Sequence, residues 1–186
     1  MRRLIFFRHG KAEITAVSGG DKERPLAERG RVECRLAAAW LSAVGFKPDI
    51  VLVSSALRTQ RTWECVRETF PAVPVKIHDE LYLAGAETIM DLIEAIPGDV
   101  ETVMVLGHNP GLQDLSISLA TDGNAPEIQI HRIEEGFPTA GVVVFRRNDP
   151  GPMRLEGVYE PSRVPGGAPR WVFLDPESGV ESGVRG

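Results

Sequence analysis

Short runs of bulky apolar residues alternate with amphipathic stretches along this chain. Leu4-Ile5-Phe6-Phe7 follows two arginines and stops at Arg8-His9-Gly10, which predicts a buried strand over residues 3–7. Residues 11–24 are polar and contain glycine, so a loop is expected. Pro25 is placed to open a helical turn, and Val32, Leu36, Ala39, Trp40 and Ala43 recur at spacings of three and four. That spacing predicts an amphipathic helix from Leu26 to Val44, ended by Gly45, with Glu33 and Arg35 on its wet face. Ile50-Val51-Leu52-Val53 predicts a second strand running into Ser54-Ser55, and residues 57–69 a helix. A short strand at 73–77 and a helix at 87–95 come next, the helix stopped by Pro97-Gly98. Val103-Met104-Val105-Leu106 predicts a strand ending at Gly107-His108-Asn109-Pro110, then a helix over 111–120 opened by Pro110. Residues 121–138 read as irregular. Two strands, 140–145 and 154–159, flank a turn at Asn148-Asp149-Pro150-Gly151.

Strands alternating with helices imply an α/β fold: a three-layer α/β/α sandwich around a mostly parallel sheet, closed by a C-terminal antiparallel hairpin. The length, 186 residues, suits one domain over residues 1–160. Residues 161–186 hold Pro161, Pro165, Pro169 and Pro176 among glycines and read as a partly disordered tail, with Trp171-Val172-Phe173-Leu174 able to dock back. Apolar residues are 42% and charged residues 25%, both ordinary for a globular chain. A net charge of −5 argues against a nucleic-acid partner. No apolar run reaches the ~18 residues of a membrane span. The first apolar run is also too short for a signal peptide, so no membrane association and a cytoplasmic location are expected. Cys34 and Cys65 lack metal spacing and are expected as reduced, buried thiols.

Three predicted strands end in polar groups: Arg8-His9-Gly10, Ser54-Ser55 with Arg58 one turn on, and Gly107-His108-Asn109. Ligands of an open α/β sheet bind beyond the carboxyl ends of its strands. Two histidines and two arginines would therefore meet at one edge. Guanidinium forks match phosphoryl oxygens. An imidazole supplies a nucleophile and a second one a further donor. No carboxylate flanks either histidine, which disfavours a metal site. Phosphoryl transfer through a phosphohistidine is the chemistry suggested.

Leu4-Ile5-Phe6-Phe7-Arg8-His9-Gly10 resembles the RHG signature of the histidine phosphatase superfamily, whose fold is phosphoglycerate-mutase-like. Ser54-Ser55-Ala56-Leu57-Arg58-Thr59-Gln60-Arg61-Thr62 resembles its second motif, one residue contracted. Gly107-His108-Asn109-Pro110-Gly111 resembles its second-histidine motif. Arg24-Pro25-Leu26 with Gly30 matches a further pattern, except that Ala27 replaces threonine. Small size and the form GHNPG make the chain most similar to the SixA-like phosphohistidine phosphatase branch. The resemblance implies that His9 is the nucleophile, that Arg8 and Arg58 clamp the phosphoryl oxygens, and that His108 donates to one of them. Gly10 and Asn109 would line the substrate site. Many members carry a glutamate as proton donor near the third strand. Here that stretch reads His78-Asp79-Glu80-Leu81-Tyr82, where Glu80 or Asp79 is the candidate and the spacing does not decide between them. An alkoxide leaving group needs a proton. An imidazole leaves more readily, so an undecided acid favours a phosphoramidate substrate.

The expected function is thus a phosphatase that dephosphorylates phosphohistidine on a partner protein. The alternatives are a phosphatase of small phosphate esters with the same core, and a phosphate-binding module without turnover. Inorganic phosphate or sulfate should fit the same site, and no metal or organic cofactor is implied. Lys11 and Glu13 are candidates for the pocket rim or for solvated loop charges. His78 and His131 are expected at the surface, and Trp40 and Trp63 in the core.

Overall fold

The computed structural model describes residues 1–147, 150–164, 166–174 and 181–185, the last as backbone only. The elements run β1 (Arg3–Arg8), α1 (Glu28–Ala43), β2 (Ile50–Ser54), α2 (Leu57–Val66), β3 (Val75–His78), α3 (Ala86–Glu94) and β4 (Thr102–Gly107). They continue with α4 (Gly111–Asp122), α5 (Glu127–Glu135), β5 (Val142–Arg147), β6 (Met153–Glu160), β7 (Arg170–Leu174) and β8 (Glu181–Arg185). One eight-stranded sheet has the order β3-β2-β4-β1-β5-β6-β7-β8. β3, β2, β4 and β1 are parallel neighbours; β5 pairs antiparallel with β1, and β6, β7 and β8 follow, each antiparallel to the strand before it. Beside the parallel half the antiparallel end is thus four strands, longer than the hairpin the pattern predicts.

The alternation within β1 divides the core. Leu4 and Phe6 face one side with residues of α3, α4 and α5, while Ile5 and Phe7 face the other with residues of α1 and α2. All four are fully buried, as a strand covered on both faces requires. Trp40 of α1 stacks on Phe173 of β7, with ring centroids 5.7 Å apart, and lies 5.2 Å from Tyr159 of β6. The sheet therefore continues past residue 160. Of the expected turn, Asn148 and Asp149 lie outside the described residues, as do Pro165, 175–180 and 186.

Three details differ from the sequence expectation. The buried face of α1 is Gly30, Glu33, Cys34, Ala37, Ala38, Trp40 and Leu41, whereas Val32 and Leu36 are each 49% exposed and Ala39 and Ala43 are also exposed. Small residues win because the helix backbone approaches the loop after β1: a Cβ on Gly30 would sit 2.3 Å from the Lys11 carbonyl oxygen. Glu33 is correspondingly buried rather than wet, and accepts a 2.6 Å hydrogen bond from Arg29 Nε. Pro25 does not open α1, which starts at Glu28. Leu26 instead bridges antiparallel to Ala12, closing the base of the loop between them. Residues 127–135, expected as irregular, form α5, which packs on α4 through Gln113 Nε2 donating to the carbonyls of Ile133 and Glu134.

Candidate active site

The parallel register sets Arg8 of β1 beside Gly107 of β4, so the residues that follow, His9 and His108, emerge side by side. Their rings are 5.0 Å apart between centroids. β2 pairs with the other side of β4, which brings Ser54 and the start of α2 to the same edge. Arg58 projects from the first turn of α2. His9, Arg58 and His108 are 9%, 4% and 3% exposed, so the group forms a buried floor.

Gly10 allows this floor to exist. A side chain there would begin 2.6 Å from Cys34 Sγ and 2.8 Å from the Gly30 carbonyl oxygen of α1. The Gly10 N–H donates to Thr62 Oγ1, which in turn donates to the Arg58 carbonyl, tying the loop to α2. The Gly10 carbonyl lies 2.8 Å from His9 Nδ1. A carbonyl only accepts, so Nδ1 carries the proton and Nε2 keeps its lone pair. Burial lowers the His9 pKa to about 4, opposed by the Gly10 bond and assisted by the Arg58 and Arg8 charges. Burial, then the neighbouring His9 and Arg58, lower that of His108 to about 3. Both rings are neutral at pH 7.

Ser54 Oγ lies 2.8 Å from His108 Nε2. His108 Nδ1 and Arg8 Nε are buried without a hydrogen-bond partner among the described residues. Arg8 Nη1 donates to the Phe137 carbonyl at 2.6 Å, and Asn109 Nδ2 donates to the same oxygen at 3.2 Å. The segment after α5 thus forms one wall.

The two candidate proton donors have partners of their own. Asp79 pairs with Lys22 Nζ at 2.7 Å, and the Glu80 carboxylate lies 3.8 Å from His78 Nδ1 with its side chain 64% exposed. The carboxylate beside the site is Asp21, in the short 3-10 helix Asp21–Glu23. Its Oδ2 accepts from Arg58 Nη2 and from the Tyr82 hydroxyl, both at 3.0 Å, and its Oδ1 accepts from Arg24 Nη1 at 2.7 Å. The Tyr82 ring stands edge-on to His108, with centroids 5.7 Å apart. Sequence reasoning missed Asp21 and Tyr82. The polar loop holding Asp21 carries no spacing that points to a site 37 residues away on α2. Lys11 and Glu13 are exposed, His131 is exposed, and His78 is half-buried. No group of three or more potential metal-ligating side chains occurs among the described residues. No helix among them is long and apolar enough to cross a membrane.

Residues 4–82 match the family model described as histidine phosphatase superfamily (branch 1). An uncharacterized protein of Mycobacterium tuberculosis (strain H37Rv) is 35% identical over 147 residues, covering 76% of this chain and 91% of that one. The chain belongs to the histidine phosphatase superfamily. Within it the likeness is to the SixA branch. A crystal structure assigned as the phosphohistidine phosphatase SixA of Agrobacterium tumefaciens superposes with a TM-score of 0.71 at 31% identity, over 83% of this chain and 94% of that one. The protein histidine phosphatase SixA complexed with tungstate superposes with a TM-score of 0.66 at 26% identity, over 83% and 94% of the two chains. Membership of this superfamily supports phosphatase function, and the branch matches the one that the RHG and GHNPG motifs resemble.

Proposed function

We infer that the protein is a phosphatase that removes phosphate from phosphohistidine on a partner protein, with His9 as the nucleophile. The observation that carries this reading is the His9 ring: buried, neutral, and held through Nδ1 to the Gly10 carbonyl so that Nε2 has a free lone pair. His9 Nε2 attacks the phosphorus and the bond to the substrate's leaving atom breaks. Arg8 and Arg58 hold the equatorial oxygens, and His108 Nδ1 donates to one of them. Donors fixed before the reaction stabilise charge as it develops. Water then attacks phospho-His9 and restores the free imidazole. With the Ser54 hydroxyl donating to His108 Nε2, the His108 proton sits on Nδ1, and this Nδ1–H and Arg8 Nε, buried without a partner among the described residues, support this use. Leaving a buried donor unbonded costs about 1–3 kcal/mol, and a phosphoryl oxygen recovers it. That Asp79 and Glu80 are turned toward Lys22 and His78 favours a leaving group that needs no proton from the enzyme.

The test is phosphate release from a phosphohistidine-bearing phosphotransfer protein beside a panel of small phosphate esters. His9→Ala should abolish release, and Arg58→Ala should slow it by ~10²–10³. Rapid release dependent on His9 from one ester, with none from the phosphoprotein, would move the substrate to the ester class. Release that survives His9→Ala would reject the mechanism.

A further inference from the structure

Asp21 is the half-exposed carboxylate bonded to Arg58 of the buried floor. Its side chain is 47% exposed, while that of Arg58, to which it is bonded, is 5% exposed. The carboxylate therefore lies on the solvent side of the arginine, and His9 lies on the buried floor. An in-line transfer places the leaving atom opposite the nucleophile. Whatever is bonded to the phosphorus accordingly points outward, toward the rim that carries Asp21.

The chemistry of that rim discriminates between leaving groups. Hydrogen bonds from Arg24 and Tyr82 and the charge of Arg58 hold the Asp21 pKa near 2. Such a group accepts protons' hydrogen bonds and does not donate, so it cannot supply a proton to a departing alkoxide. A phosphorylated imidazole has a different need. Protonation of its far ring nitrogen lets it depart as neutral imidazole. A carboxylate at that nitrogen favours the protonated form. Among the described residues Oδ1 accepts one hydrogen bond and Oδ2 two, against about four acceptor sites, so one acceptor site stays open. The enzyme treats its own nucleophile in the same way: the Gly10 carbonyl keeps a proton on His9 Nδ1.

We propose that Asp21 is a specificity-determining residue: its carboxylate accepts a hydrogen bond from the far nitrogen of the substrate phosphohistidine and keeps it protonated during transfer. The proposal rests on the function inferred above. The bond from His9 Nε2 to phosphorus forms as the substrate P–N bond breaks. The electron pair of that bond returns to the substrate nitrogen, and the positive charge passes from the substrate ring to the His9 ring. Water then adds to phosphorus, both its protons leave with the phosphate, and the P–N pair returns to His9.

The experiment compares wild type with Asp21→Asn and Tyr82→Phe on two probes, phosphoimidazole and p-nitrophenyl phosphate. Asp21→Asn should lower kcat/KM for phosphoimidazole about 10–100-fold, at least tenfold more than for the aryl ester. Asp21→Glu should recover part of the loss. Tyr82→Phe, which keeps the carboxylate, should affect both probes alike. The charged and titratable groups facing Asp21 are Arg24, Arg58 and Tyr82, with His108 behind them and Lys22 held by Asp79. Since the bound substrate is reactive below the pKa of its far nitrogen, and Asp21 raises that pKa, Asp21→Asn should move the alkaline limb of kcat to lower pH by about one unit. Equal losses on both probes, or an unmoved limb, would overturn the assignment and leave Asp21 as a brace for Arg58. A wild type inactive on phosphoimidazole and on the phosphoprotein would instead overturn the inferred function itself.

Discussion

His9 and His108 are held as neutral rings between two guanidiniums, with pKa values of about 4 and about 3 against 6.5 in an unfolded chain. Between those limits the unfolded state binds more protons, so stability falls as pH drops from about 6.5 toward 4. The melting temperature should decline over that window, and His108→Gln should flatten the decline. A flat profile in the wild type would contradict neutral burial. The three residues of this floor, and Arg8 beside them, are legible in the sequence, because a polar cluster at the end of an apolar run is a local signal. Ser54 reads locally only as the polar end of an apolar run, yet its hydroxyl meets His108 54 residues away. Asp21 and Tyr82 are likewise invisible, since only the folded loop brings them onto one arginine.

At the scale of elements, α1 shows how a periodic pattern can be right about a helix and wrong about its face. Val32 and Leu36 satisfy the helical spacing but look outward, over a groove of about 510 Å³ that Pro161, Val164 and Pro169 also line. The packed face is Gly30, Cys34, Ala37, Ala38 and Leu41, chosen by how closely the helix must approach the loop after β1. Substituting Val32 or Leu36 by serine should leave stability within about 0.5 kcal/mol, whereas Leu41→Ala should cost about 2–5 kcal/mol. Denaturant melts of the three variants check the assignment of faces. Helix α5 lacked a sequence signal because Glu127, His131, Arg132, Glu134 and Glu135 dilute its apolar residues. Its place is fixed by Gln113 of α4 and by the covered face of the sheet.

For the whole molecule, the site draws on β1, α2, β4 and the segment after α5, so an oxyanion that bridges them should bind the folded state alone. Tungstate or phosphate at a hundredfold excess over its Kd should add about 2.7 kcal/mol, or about 5–10 °C in melting temperature. Arg58→Ala should remove most of that shift in a thermal melt. The sequence by itself determined the order of strands and helices from β1 to α4 and the β5-β6 pair, the buried character of β1, β2 and β4, and the RHG, SSALR and GHNPG segments that end them. These are local properties, written in hydrophobic period and in the residue following each strand. Only the tertiary structure decided the strand order β2-β4-β1 that sets His9 against His108, the packed face of α1, and the placing of Asp21 on Arg58. Those depend on contacts between residues tens of positions apart, which register and close packing fix and no local pattern encodes.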